Sequence, residues 1–500
     1  MRLLKKIKLR IRPNPCVTDE IRTNDYWRKI ARKSNDRLDW AAYKNFKWEV
    51  KRKLRLAERE HVENQIRNNP NNPRCVWKTI RSCIPRKSVK KKSFSDSDDA
   101  VAKEFNEFFN SIGQNTVEKI FSLANECSYD LTQSSFVPRC YLHSQKFSFR
   151  PVNCDEVQKV ITLMPSDKAP GIDKISIRVI KYSLPAILPS MKSIINESLA
   201  SNTFPIEWKT AEVIPVLKEG DHEKPNDYRP ISLLPVLSKL CERIALNQLM
   251  PYLVENCRLS AHQSGNKKWH SSKTSLIYTS DHILTAIDQK KTSAVVLLDM
   301  SKAFDSVNHD MLLKKLQDIG LSPSAILWFM SYLSNRYQAV RINTALSEPL
   351  LMRYGVPQGS ILGPLLFRAY TNDLPSIPQH CSADCYVDDT KLLMSFQVQD
   401  CEPTMAAMKD DLIKLRNWCF NNRLLLNPDK TKLIVYGSRQ MISKRQDFRL
   451  TLLGKELLPV DSVKDLGLVF DSKLSFNDHI IKTASSCMPA LGQISRVKHI

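Results

Sequence analysis

The run CYVDDTKLLMSF, residues 385 to 396, restricts this chain more than any other stretch. Tyr386, Val387, Leu392, Leu393, Met394 and Phe396 give it the apolar pattern of a partly buried strand hairpin, yet Asp388 and Asp389 sit side by side within it. Two carboxylates in such a setting lose hydration and repel one another. A divalent cation is the usual remedy, so the pair calls for a third oxygen ligand elsewhere in the chain and for a substrate.

The chain can accommodate such a site. Its 500 residues are enough for several domains, and 42% hydrophobic with 25% charged residues describes a folded, soluble protein. No apolar run approaches the roughly 20 residues of a membrane span. The opening MRLLKKIKLRIRP is basic but interrupted by charge, unlike a secretory signal. Thirteen cysteines without a repeated CxxC spacing fit the reduced thiols of an intracellular protein. His380, Cys381 and Cys385 match no zinc module, and core or turn cysteines are the favoured reading.

The formal charge of +23 is unevenly distributed. The first hundred residues hold 28 Lys and Arg against 12 Asp and Glu, an excess of 16. A polyanionic partner fits this asymmetry better than one solvated helix face does.

Residues 1–95 read as basic helices, with Trp40, Phe46, Trp48 and Leu54 spaced along one of them. RKSVKKK near their end reads as a nuclear localisation tract or a plain charged linker. A helical and irregular connector, 96–150, opens with the capped amphipathic pattern SDDAVAKEFNEFFNSIG. From Pro151 short strands (AEVIPVLKEG, SAVVLLDM) alternate irregularly with helices (CDEVQKVITLMP, NHDMLLKKLQDIG, PSAILWFMSYLSN). This order predicts an α+β fold rather than a doubly wound sheet.

Asp299, closing the apolar run AVVLLD, is the nominee for the third ligand. Taken alone it is equally a helix cap, and Asp388–Asp389 an exposed turn. In YGVPQGSILGPLLF the glycines let backbone approach a flat ligand, while Gln358 can hydrogen-bond a base or sugar. By itself that segment is a turn before a core helix. Lys218 and Arg229 flank a polar loop and suit phosphate oxygens, although solvated loop charges are the commoner fate of such a pair.

In order, SDKAPGID, NDYRPISLLPVLSKLCE, LLDMSKAFDSVNH, GVPQGSILGPLLF, YVDDTKLL, NNRLLLNPDKTKLIVYG and VKDLGLVFDSKLSFNDHI resemble the successive motifs of reverse transcriptases of non-LTR (LINE-type) retrotransposons. The resemblance spans roughly residues 150 to 490. It implies a right-hand polymerase with fingers, a palm bearing an antiparallel sheet, and a thumb. Fingers and palm would fill 151–470, with 471–500 the start of a truncated thumb. The implied reaction is RNA-directed DNA synthesis, in which two Mg²⁺ ions, replaceable by Mn²⁺, assist transfer from a dNTP to a primer 3′-hydroxyl. The implied partners are an RNA template, a DNA primer or target DNA, and dNTPs, with no membrane; by family analogy the place is the nucleus.

Residue by residue, Asp299, Asp388 and Asp389 match the family's metal ligands, and the carbonyl of Met300 a metal or triphosphate contact. Phe304 matches the steric gate against a ribose 2′-hydroxyl, Gln358 and Gly359 the template and nucleotide contact. Lys218 and Arg229 match the grip on the triphosphate, and Lys430 the proton donor to pyrophosphate. The chain also departs from the pattern. QSGNKKWHSS lacks an apolar anchor and an arginine, Arg368 replaces an apolar residue, and Val387 replaces alanine before the aspartates. No endonuclease-like sequence precedes residue 150. A catalytically inactive RNA- or DNA-binding remnant is therefore the alternative expectation.

Overall fold

The apolar run 292–298 forms one of the two inner strands of a four-stranded antiparallel sheet in the computed structural model of the chain. The structure describes residues 15–70, 72–83, 94–131, 146–218, 220–265, 267, 269–443 and 447–497. The tract RKSVKKK lies outside the described residues.

The chain divides into two units, Lys92–Asp478 and a smaller one made of Met1–Lys91 with His479–Ile500. In the smaller unit, helices Pro15–Ser34 and Arg37–Arg67 pack together, with Ala31, Val50 and Leu54 buried and Trp27 stacked on Phe46. Trp48 faces away and is exposed.

In the larger unit the principal strands are, in chain order, β1 (Thr210–Leu217), β2 (Tyr228–Leu233), β3 (Thr292–Leu298), β4 (Met300–Ser301), β5 (Arg336–Ile342), β6 (Ala345–Leu346), β7 (Leu350–Met352), β8 (Ser382–Tyr386), β9 (Asp389–Phe396), β10 (Leu425–Leu426) and β11 (Lys432–Tyr436). Two sheets matter for the site. One runs β2-β1-β5-β6 with β7 also on β5, and its β1–β5 pairing is parallel. The other runs β11-β3-β9-β8.

This second sheet is apolar on both faces, as the near-continuous burial of β3 requires. Val295, Leu393 and Ile434 pack against Ile283 on one side, while Val296, Leu392 and Leu433 face the main core on the other. A strand period of two separates the sets. The mixture of helices and antiparallel pairing is the α+β class expected from the sequence.

Residues 96–150 contribute more than a link. Ser97 caps the helix Asp98–Glu126, accepting the amide of Ala100 at 3.4 Å. Phe105, Phe109 and Ile112 of that helix pack on Val213, Val340 and Ile342 of the first sheet. Asn106 fixes the docking by donating to the carbonyl of Glu348 at 2.8 Å.

Candidate active site

The hairpin of β8 and β9 closes through the pair Tyr386–Asp389, which leaves Val387 and Asp388 as a two-residue loop. Val387 has φ of +62°, a conformation that such loops normally give to glycine. For a residue with a Cβ the left-handed region costs about 1–2 kcal/mol, and β-branching makes it rarer still. The turn therefore carries strain beside the carboxylate it presents.

Asp299 arrives from the neighbouring strand. Leu298 pairs with Thr390, so the next residue leaves β3 beside the start of β9. The Asp299 carbonyl accepts the amide of Asn427 at 2.8 Å, and Met300 pairs with Leu426 across the short β4–β10 ladder. These backbone bonds fix the direction in which the strand ends.

Asp299 and Asp388 line a cavity of about 640 Å³. Burial, helped by the charge of Asp388, raises the Asp299 carboxyl above its usual range, while Lys430 and Lys218 oppose the rise. Asp389 lies at the exposed start of β9 and does not line the cavity. Protein mass on its inner side, then Asp388, Asp465 and Asp299, push its carboxyl up to about 6. The oxygens of Asp299, Asp388 and Asp389 do not all come within 4.8 Å of one another. An oxygen-only donor set with accumulated negative charge fits a hard divalent cation, which would draw the carboxylates together.

Among the described residues, His380, Asp410 and Asp411 do meet that distance. They are otherwise engaged. Asp411 accepts the amides of Gln379, His380 and Cys381 at 2.7–2.8 Å, and Asp410 pairs with Lys414 at 2.5 Å.

The first sheet supplies the cationic wall. Lys218 follows β1, and Arg229 pairs with Val216 in β2; both side chains are exposed and line the cavity. Lys430 joins them from the loop before β11, its amide donating to Asn427 Oδ1 at 3.3 Å. Phe304 forms part of the wall and stacks on Phe367 with centroids 4.4 Å apart. Gln358 also lines the cavity, its side chain turned toward Asp305 and its carbonyl accepting the Ser232 amide at 2.7 Å. Gly359, with φ of +121°, lies outside the lining; a Cβ there would stand 2.6 Å from the Ser232 carbonyl oxygen.

Three participants escaped the sequence reading. Lys302 lines the cavity with φ of +46°, its ammonium 4.1 Å from the Phe108 ring centroid and without a hydrogen-bond partner among the described residues. Burial lowers it to about 8. Asp305 receives Gln358, and Glu242, fully buried, accepts the amides of Ile361 and Leu362 at 2.6 and 3.1 Å. Their motifs stand out in the sequence, but a charged residue inside a motif carries no mark of what it will face. Arg368 is buried, 4% exposed; among the described residues its Nε has no hydrogen-bond partner, and burial lowers its guanidinium to about 10.

Carboxylates on the rim of an antiparallel sheet, with lysine and arginine from a second sheet lining the same cavity, are consistent with the right-hand polymerase fold. Residues 216–470 match the family described as "Reverse transcriptase (RNA-dependent DNA polymerase)", and the chain belongs to that family. Several of its relatives are named RNA-directed DNA polymerases of transposons or mobile elements. It is 33% identical over 353 residues to "Probable RNA-directed DNA polymerase from transposon BS" of Drosophila melanogaster, covering 69% of this chain and 38% of that protein. It is 28% identical over 385 residues to "RNA-directed DNA polymerase from mobile element jockey" of the same species, covering 73% and 41%. With "Retrovirus-related Pol polyprotein from type-1 retrotransposable element R2" of Popillia japonica it shares 28% over 229 residues, 45% and 31% of the two chains. The chain thus spans about two fifths of the length of the first two relatives.

Proposed function

We propose that the chain carries out RNA-directed DNA synthesis, joining the α-phosphorus of a dNTP to a primer 3′-hydroxyl with loss of pyrophosphate. The observation that carries this reading is the single cavity on which Asp299 and Asp388 face Lys218, Arg229 and Lys430. The substrates are an RNA template, a DNA primer or target end, and dNTPs.

Asp299, Asp388 and Asp389 are the residues to hold divalent metal, Mg²⁺ by preference, as two ions, with Mn²⁺ able to substitute. When bound, that metal activates the attacking hydroxyl and stabilises the leaving oxygen. Lys218 and Arg229 bind the triphosphate, Arg through its fork of donors and Lys as a point charge. The Met300 carbonyl sits beside Asp299 as a further oxygen toward metal or triphosphate. Lys430 supplies a proton to the departing pyrophosphate. Phe304, braced by Phe367, limits space at the sugar 2′ position. Gln358 and Gly359 form the surface for template and incoming base.

The basic region 1–95 is proposed to hold nucleic acid by phosphate contacts, with residues 151–470 as fingers and palm and 471–500 as the start of the thumb. Among the described residues no helix is long and apolar enough to cross a membrane. Nuclear placement, resting on RKSVKKK, belongs to the same proposal.

A second reading, an inactive nucleic-acid-binding remnant, draws on one observation: among the described residues the buried guanidinium of Arg368 meets no carboxylate, its Nη2 donating to the Gln263 carbonyl at 3.5 Å. Primer extension on an RNA template with dNTPs and Mg²⁺, comparing wild type with Asp388→Asn, separates the two. Extension by wild type alone supports the enzyme. Salt-dependent RNA binding by both, with extension by neither, overturns it in favour of the remnant.

A further inference from the structure

The strained loop at Val387 is held from behind by a segment outside the hairpin. Residues 262–265 lie along β8: the Cys385 amide donates to the His262 carbonyl at 2.9 Å, and the Ser264 amide to the Cys385 carbonyl at 2.8 Å. This backbone bridge points the side chain of Gln263 at the loop. Gln263 Oε1 accepts the Val387 amide at 2.9 Å, and Gln263 Nε2 donates to the Val387 carbonyl at 3.2 Å. One primary amide thus satisfies both backbone polar groups of the residue with φ of +62°.

Two further features belong to this contact. The Gly265 amide donates to the same Oε1 at 3.1 Å, which holds the side chain in its rotamer. A Cβ on Gly265 would stand 2.5 Å from Val387 Cγ2 and 2.6 Å from its nitrogen, so only glycine lets the segment come this close. Gln263 is 2% exposed, so water does not compete for these bonds.

We infer that Gln263 is a positioning residue for metal binding: by clamping Val387 in its left-handed conformation it fixes the direction in which Asp388 enters the cavity. The inference rests on the proposed role of Asp388 as a ligand. Without the clamp the Val387 backbone has an accessible route to negative φ, and relaxing by that route swings the following carboxylate away from Asp299. A β-branched residue needs such a clamp and glycine does not. That difference separates positioning from general structural support.

The test measures Gln263→Ala in the wild-type background and in a Val387→Gly background. In the first, amide exchange at residues 386–389 rises at least tenfold, and Mn²⁺ added alone, followed by its electron paramagnetic resonance signal, binds several-fold more weakly. Primer extension loses about tenfold in kcat while the KM for dNTP changes less than twofold. In the Val387→Gly background, the same substitution changes Mn²⁺ affinity and kcat by less than twofold, although the residue-387 amide again loses its acceptor. Equal losses in both backgrounds overturn the inference, as does unchanged exchange at 386–389 in the first. Should Gln263→Ala not fold, Gln263→Glu replaces it; this isostere accepts from the Val387 amide but cannot donate to its carbonyl. Wild-type exchange and Mn²⁺ affinity in that variant would also overturn the inference. If wild type fails to extend a primer, the polymerase reading falls, while exchange and Mn²⁺ affinity still judge the clamp.

Discussion

Gln358 Nε2 donates to both carboxylate oxygens of Asp305, each at 2.8 Å, so the residue nominated to meet the nucleotide is itself held by a carboxylate. Burial pushes the Asp305 carboxyl from 3.8 up to about 6, against the opposing influence of Gln358 and Lys302. The unfolded carboxyl ionises first, so between these values the folded chain holds more proton. The stability this group contributes is thus fully present below pH 4, falls as pH rises toward 6, and is level above. For a carboxylate with some solvent access the change is about 2 kcal/mol. Urea unfolding of wild type and Asp305→Asn at intervals from pH 4 to 7 should show this slope in the difference between them. A constant difference would remove it.

Lys391 and Asp465 form a 2.7 Å ion pair, 3% and 6% exposed, that ties the hairpin Ser462–Asp471 to β9. Removing one charge leaves the other buried without compensation. Lys391→Met should therefore destabilise by about 3–5 kcal/mol, whereas Lys391→Met with Asp465→Leu should return to within about 1 kcal/mol of wild type. Denaturant midpoints of the three proteins test this. Equal destabilisation of single and double variants would contradict it.

Glu242 holds the loop that carries Gln358, because its carboxylate receives the first amides of the turn into helix Gly363–Tyr370. Glu242→Ala strands those two donors in a dry interior, and a loss of about 3 kcal/mol or more is expected. Glu242→Gln retains an acceptor oxygen and should lose less than half as much. Chemical denaturation at pH 7 compares them, and equal losses would exclude the amide contact as the cause.

Phe304 lines the cavity with its ring braced on Phe367. Under the proposed function Phe304→Val opens space at the sugar, so discrimination between dNTP and rNTP should fall by about 10- to 100-fold. The ratio of kcat/KM for matched deoxy- and ribonucleotides measures it. An unchanged ratio would return Phe304 to a purely core role.

Much of this arrangement was legible in the chain itself. The β-branched runs 211–217 and 293–298 became strands because a two-sided apolar stretch of that length has to lie inside a sheet. The adjacent aspartates were conspicuous because carboxylates cost free energy where their apolar neighbours are buried. Residues 96–150 were harder to read: their helix pattern was visible, but the sheet it packs upon is built from strands more than a hundred positions away. Gln263 lay in a segment noticed only for what it lacked, since nothing in QSGN announces a partner at Val387.

By itself, the sequence determined the class of fold and the family, and it nominated the carboxylates and the cations. Those follow from hydrophobic period and from chemical type in order, which are local properties of a chain. Only the tertiary structure decided which of these groups share a cavity, that Asp389 is exposed at the start of β9 and outside the lining, that Arg368 is buried and that Gln263 grips Val387. The shared cavity and the exposure of Asp389 depend on the register of one strand against another. A displacement of one residue, too small to alter any local pattern, would have turned the same side chains to the opposite face.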